Sequence, residues 1–158
     1  MATSTYAIAI GSNRPGRHGG PVAEVRAAIA ALEGVRAVAP IMASAPLGPS
    51  LRRYANTVVL LDTALPPPDL LARLKAIERD FGRRRGRRWG SRVVDLDIIL
   101  WSGGSWHSPG LCVPHVAFRE RRFVLRPLRH VAPDWRDPVT GRTIRQLHQL
   151  VDRNRPRD

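Results

Sequence analysis

Cysteine occurs once in the 158 residues, at Cys112, so no disulfide can form within the chain. That usage fits a reducing compartment and predicts a cytoplasmic location. No apolar run approaches the ~20 residues that span a bilayer, and residues 1–6 lack a basic stretch followed by an apolar one. Neither a membrane protein nor an exported one is expected. Lysine is almost absent too: Lys75 is the single lysine among 26 basic residues, and it sits in a segment of helical periodicity. A Gly-x-x-x-x-Gly-Lys-Ser/Thr phosphate loop is thereby excluded. No Gly-x-Gly-x-x-Gly follows the first apolar run. Ser/His/Asp catalysis has no local signature. The aromatic pattern of an RNA-recognition motif is reduced to the fragment Arg122-Phe123-Val124.

What the chain does have is positive charge, +13 with only 13 acidic residues. Basic surface binds polyanions, so a nucleic-acid partner must be weighed. The charge is unevenly placed, however. Residues 83–92 hold six arginines, Arg83, Arg84, Arg85, Arg87, Arg88 and Arg92, together with Trp89. Asp95 and Asp97 follow directly. On a strand, residues two apart project from one face, roughly 6.5–7 Å apart along the backbone. Same-face carboxylates behind a cationic loop suit a metal-bound polyphosphate, the acids holding metal and the arginines holding phosphate. Oxygen-only donors favour Mg²⁺ over Zn²⁺. The bland alternatives are a solvated basic turn and a solvated polar strand face. Against the second, Val93, Val94, Leu96, Ile98, Ile99 and Leu100 are all apolar, which predicts a central strand. The segment reads as a phosphoryl-transfer site.

The rest of the chain alternates short apolar runs with helical periodicity. A strand is expected at 6–10, ended by Gly11-Ser12-Asn13, and a helix at 22–32, with Pro21 in its first turn and Gly34 beyond it. A second strand at 35–44 carries Pro40, which argues for an edge or bulge. A third strand covers 56–63, and Pro66, Pro67 and Pro68 introduce a helix running to Phe81. The strand at 93–101 should place Asp95, Asp97 and Ile99 on one face, with Leu96, Ile98 and Leu100 on the other. After Gly103-Gly104 the signal weakens to a short helix near 117–121, a mixed stretch at 123–131 and a final helix at 144–153. The order strand–helix–strand–strand–helix–strand predicts an antiparallel α+β sheet of ferredoxin-like type with both helices on one face. About a third of the chain is appended at the C-terminal side, and residues 1–158 form one domain.

These segments resemble a known family. The run Gly82-Arg83-Arg84-Arg85-Gly86-Arg87-Arg88-Trp89-Gly90-Ser91-Arg92-Val93-Val94-Asp95-Leu96-Asp97-Ile98 is similar to the hallmark of the bacterial 6-hydroxymethyl-7,8-dihydropterin pyrophosphokinases of the folate pathway. Ile10-Gly11-Ser12-Asn13, Pro46-Leu47-Gly48-Pro49, Tyr54-Ala55-Asn56, Ile77-Glu78, Val113-Pro114-His115 and Arg121-Arg122-Phe123-Val124 match in family order. The resemblance implies transfer of pyrophosphate from ATP, the co-substrate, to the pterin's hydroxymethyl group. Asp95 and Asp97 would bind two Mg²⁺ ions, and Arg83 and Arg92 would neutralise phosphate charge, making Arg83, Arg92 and Asp97 the catalytic set. Lys75, Glu78, Arg85, Trp89, Ile98, His115 and Arg121 would lie around ATP. Phe123 and Tyr54 would flank the pterin, Asn56 would hydrogen-bond its polar edge, and Ser44, Pro46, Leu47 and Trp89 would complete its site.

The chain departs from the family pattern at several places. Ser91 replaces the usual loop proline, Gly110 stands where many members carry an ATP-contacting arginine, and segments 14–20 and 50–53 differ in composition. The expectations are a monomer acting on small molecules, with no nucleic-acid or membrane partner. The competing readings are a basic ferredoxin-like RNA-binding module without catalysis, and a transferase using the same acid pair on another acceptor.

Overall fold

The computed structural model describes residues 2–44, 53–82 and 92–154. Its central strand is β1 (Ser4–Ser12), whose side chains alternate between large and small. Tyr6, Ile8 and Ile10 face one side of the sheet, and Ala7 and Ala9 the other. Antiparallel to β1 runs β4 (Ala55–Thr63), in unbroken register from Ser4↔Thr63 to Ser12↔Ala55. On the other side of β1 lies β5 (Asp95–Trp101), also antiparallel. The expected strand at 35–44 is two pieces, β2 (Val35–Val38) and β3 (Met42–Ala43), both paired with β4. Between them lies Pro40, which has no N–H to give to a ladder. Adjacent Ala39 instead donates its N–H to the Val58 carbonyl and accepts the Thr57 hydroxyl at 2.8 Å. The order β2-β4-β1-β5, with every pair antiparallel, is the ferredoxin-like sheet that the sequence predicts.

Helices α1 (Pro21–Ala31) and α2 (Pro67–Gly82) both cover the Tyr6–Ile8–Ile10 face, burying Val25, Ala28, Leu70, Leu74 and Phe81 against it. Pro21 and Pro67 open these helices, where a missing N–H costs nothing. The turn into β2 needs Gly34: its φ is +81°, and a Cβ there would lie 2.2 Å from the Asp62 carbonyl oxygen, so backbone would have to move. The appended third of the chain covers the opposite face with α3 (Arg122–Val131) and α4 (Ile144–Arg153). Val124, Leu125, Leu128, Ile144 and Leu147 pack there on Ala7, Val58, Leu60 and Leu100.

Three expectations need correction. The strand carrying Asp95 and Asp97 is an edge strand, not a central one. Its apolar residues reflect helices on both faces of the sheet, not strands on both sides. Leu100 does not share a face with Leu96 and Ile98. Ile8 pairs with Ile98 and Ala7 with Leu100, so Ile99 is an extra residue, and the bulge reverses the alternation beyond it. The mixed stretch at 123–131 is helix α3, with Pro127 inside it.

The region after Gly104 also contains an unexpected hairpin, β6 (Trp106–Ser108) and β7 (Leu111–Val113). A single 3₁₀ turn, Phe118–Glu120, stands where the short helix at 117–121 was expected. The last helix starts as read: the Gln146 N–H donates to the Thr143 hydroxyl at 3.2 Å and the Thr143 N–H to the Gln146 amide oxygen at 2.9 Å, a reciprocal cap.

Candidate active site

Sheet register assembles the site. Asp95 lies opposite Gly11 and Asp97 opposite Ala9 on β1. Gly11 in turn lies opposite Asn56 on β4. The row Asn56–Gly11–Asp95 therefore crosses three strands, with Asp97 one step inward on the same face. The glycine in its centre leaves room for the Asn56 amide, because a Cβ at Gly11 would sit 2.8 Å from the Asn56 side-chain oxygen. From above, the start of α3 lowers Arg121, Phe123 and Val124 over the row. The cleft so enclosed has a volume of about 190 Å³, and Asn56, Asp95, Asp97, Arg121 and Phe123 all line it. These five come from three separate segments of the sequence. Phe123 is 44% exposed, unusual for a large aromatic, and the Arg121 guanidinium lies 5.7 Å from its ring centre, within cation–π range.

A second cluster sits at the outer edge of β5. Glu78, reaching from α2, is 5% exposed and accepts the Leu96 N–H at 2.9 Å. That donor faces the open edge of the sheet and has no strand to bond, so Glu78 fastens β5 to α2. The other Glu78 oxygen lies 3.4 Å from the Lys75 ammonium and 3.8 Å from Arg92. Arg92 also reaches Asp95, at 3.6 Å, and so joins the two clusters. The side chain of Ile98 is buried in the core under α1 and α2. Ile98 has the same parity as Leu96, so its main-chain N–H and C=O face the same open edge, and only these can meet a ligand.

His115 does not line the cleft, but it feels the charges of Asp97 and Arg121, which do. Burial lowers its pKa, the Asp97 charge opposes this, and the Arg121 charge lowers it further. The neutral ring accepts the Ala117 N–H on Nδ1 at 3.1 Å, which leaves the proton on Nε2. His115 is thus a hydrogen-bond donor at Nε2 near neutral pH.

Tyr54 and Ser44 are not part of this cleft. The Ser44 hydroxyl accepts the Tyr54 N–H at 3.0 Å, and Tyr54 lines a neighbouring cavity of about 390 Å³ with β3 and the middle of α3. Arg83, Arg85, Trp89, Pro46 and Leu47 lie outside the described residues. Gly11 is a site residue to which no sequence argument gave a role. The sequence marks it as the end of an apolar run and as part of the family-like piece Ile10-Gly11-Ser12-Asn13, with no role attached to either.

The donor set fits magnesium. Among the described residues no group of three or more histidine, cysteine or acidic side chains could cage a metal. The protein offers the two carboxylates Asp95 and Asp97, the first well exposed. Mg²⁺ is commonly held in this way, by one or two carboxylates with substrate phosphates and water supplying the remaining oxygens.

Comparison with known proteins agrees with this geometry. The family profile described as 7,8-dihydro-6-hydroxymethylpterin-pyrophosphokinase matches residues 7–133. A 2-amino-4-hydroxy-6-hydroxymethyldihydropteridine pyrophosphokinase of Pseudomonas aeruginosa is 43% identical over 146 residues, covering 89% of this chain and 87% of the relative. The Haemophilus influenzae protein of the same name is 37% identical over 154 residues, with 94% of each chain covered. A Synechocystis protein of that name is 45% identical over 109 residues, which are 69% of this chain and 56% of the relative. Among solved structures, the wild-type HPPK-DHPS of Plasmodium falciparum with pteroate aligns at a TM-score of 0.74 and 12% identity. That alignment covers 94% of this chain and 44% of the other, and it speaks for the fold. With a profile match over most of its length and relatives this similar along whole chains, the protein belongs to the 7,8-dihydro-6-hydroxymethylpterin-pyrophosphokinase family, enzymes of folate biosynthesis.

Proposed function

We propose that the cleft between β1, β5 and the start of α3 transfers the β,γ-diphosphate of ATP to the hydroxymethyl group of 6-hydroxymethyl-7,8-dihydropterin, with Mg²⁺ on Asp95 and Asp97. One observation carries the reading: a single small cleft unites a same-face acid pair, an exposed aromatic ring, an amide and an arginine. The pterin is a flat heterocycle with a polar edge, so Phe123 supplies a face to stack on and Asn56 a donor–acceptor pair for the edge. Asp95 and Asp97, two strand positions away, then lie beside its hydroxymethyl arm. The hydroxyl oxygen attacks the β-phosphorus, the bond from that phosphorus to the α,β-bridging oxygen breaks, and AMP leaves as the hydroxyl proton is released.

When bound, Mg²⁺ supplies charge neutralisation and holds the phosphates in line for displacement. The chain's own residues do the rest. Arg121 and Arg92 place positive charge at the two ends of the acid pair. His115 offers Nε2–H to a phosphate oxygen. Glu78 fixes β5, and with it the spacing of the acids. Arg83, Arg85 and Trp89 are assigned to closure over ATP, and Ser44, Pro46, Leu47 and Tyr54 to the pterin's far side. Gly110 has a φ of +78° in the turn between β6 and β7, a backbone shape that a side chain disfavours. The ATP contact made at that position in other members is therefore replaced by backbone or lost.

We assign the chain to the cytoplasm, acting as a monomer. No helix among the described residues is long and apolar enough to cross a membrane. The RNA-binding alternative has no open sheet face among the described residues: ferredoxin-like RNA binders stack bases on such a face, and here helices cover both. Isolation of the pterin product tests the proposal. A gain of two phosphoryl groups, dependent on Mg²⁺ and abolished by chelation, is expected. A gain of one phosphoryl group would contradict it.

A further inference from the structure

Three arginines outside the active site converge on one concavity. α3 and α4, with the turn after α3, enclose a cavity of about 400 Å³ lined by Arg126, Arg129, His130, Pro133, Arg145 and His148. Five of these six residues are basic and none is acidic. Arg145 has a partner at the rim, Asp134 at 3.4 Å, and Asp152 is shared between Arg122 at 2.8 Å and His148 at 3.7 Å. No carboxylate pairs with Arg126 or Arg129 among the described residues. Arg129 donates to His148 Nδ1 at 3.0 Å, so the ring's remaining proton is on Nε2. His148 is 8% exposed, and its Nε2 is buried without a hydrogen-bond partner. The guanidinium groups of Arg126, Arg129 and Arg145 around one concave wall repel one another and are stabilised when an anion enters.

We infer that this cavity is a second anion site, sharing no residue with the cleft that holds Asp95 and Asp97 although its Arg126 and His130 also border the Tyr54 cavity, and that it takes the diphosphate group of a small phosphorylated molecule. Its volume is that of a small-ligand pocket, and a concave site of this size suits a compact anion better than a nucleic-acid strand. Arg126 and Arg145 approach from different helices and would grip the diphosphate from two sides. Arg126 and Arg129 stand on the helix that Arg121 precedes and whose first turn carries Phe123, so the site shares α3 with the catalytic cleft.

Histidine imidazole NMR tests this on the intact chain, in chelator so that no metal contributes. Inorganic pyrophosphate should shift the His130 and His148 resonances saturably, with His148, which lines this cavity and not the one around Tyr54, as the deciding reporter, while His115 reports separately on the catalytic cleft. In Arg126→Gln/Arg145→Gln, both changes being on exposed side chains, that response should weaken about tenfold or more with the His115 response and the melting temperature unchanged. ADP binding tenfold or more tighter than pyrophosphate would identify the ligand as a nucleotide; equal binding would identify free diphosphate. Unmoved His130 and His148 at millimolar pyrophosphate, or an equal response in the double variant, would overturn the site. Tighter capture of a single-stranded RNA oligonucleotide by the same residues would overturn the small-anion assignment.

Discussion

Asp95 and Asp97 lie on the open edge strand with little packing of their own, so losing either carboxylate should cost chemistry and leave the fold intact. Asp95→Ala or Asp97→Ala is expected to lower turnover on the order of a hundredfold to a thousandfold with the melting temperature nearly unchanged; wild-type turnover in either variant would remove the metal pair from the mechanism. Gly11 gives a finer test. An added Cβ would displace only the Asn56 amide, which lies 2.8 Å away at the end of a flexible side chain. Gly11→Ala should therefore raise the pterin KM about tenfold, the value of one hydrogen bond, and leave ATP binding alone. The acid pair was legible from its i, i+2 spacing, and Asn56 and Phe123 from their resemblance to family motifs. Gly11 was not, because its role exists only across strands: it faces Asn56, a residue 45 positions away (56 minus 11).

Elements fail or succeed by how their local pattern is disturbed. The strand at 35–44 and the alternation through 93–101 were read as continuous. Pro40 and the bulge at Ile99 break them, and a bulge leaves no mark in a run as uniformly apolar as Ile98-Ile99-Leu100. Helix α3 escaped for the reverse reason, since Pro127 sits inside it and basic residues fill its solvent side. The three-residue strands β6 and β7 are too short to show a period at all. The joint between α2 and β5 rests on Glu78, and it yields a prediction at this scale. Glu78→Ala leaves the Leu96 N–H without an acceptor and should destabilise the protein by about 1–3 kcal/mol. Glu78→Gln keeps an acceptor but gives up the attraction to Lys75 and Arg92, and should recover most of that loss in a urea titration. Equal destabilisation by both would mean that the ion pairs, not the strand-edge bond, hold the joint.

At the scale of the whole molecule, the appended third of the chain closes the second face of the sheet and adds an acid-sensitive contribution to stability. Asp137 is fully buried. Burial works to raise its pKa, but hydrogen bonds from Arg119, the Val139 N–H and the Thr140 hydroxyl hold the carboxyl down at about 2, against an ordinary 3.8. A folded-state pKa below the unfolded one gives stability that is present above about pH 4 and is lost as the pH falls toward 2, on the order of 2 kcal/mol. Asp137→Asn should thus be less stable than wild type at pH 6, and the gap should narrow steadily below pH 4 in denaturant titrations. A constant gap would assign the effect to packing. The ferredoxin-like order was legible from element succession alone. The use of the final third as a cover was not, because nothing local says which face of a sheet a distant helix will meet.

The central claim is that this molecule moves two phosphoryl groups in one step from ATP to a pterin alcohol. The direct measurement separates nucleotides after incubation with Mg²⁺ and ATP, with and without 6-hydroxymethyl-7,8-dihydropterin, beside Asp97→Asn as control. AMP formed only when the pterin is present, with no ADP, and lost in Asp97→Asn, is the predicted result. ADP in place of AMP, or nucleotide cleavage indifferent to the pterin, would contradict the account.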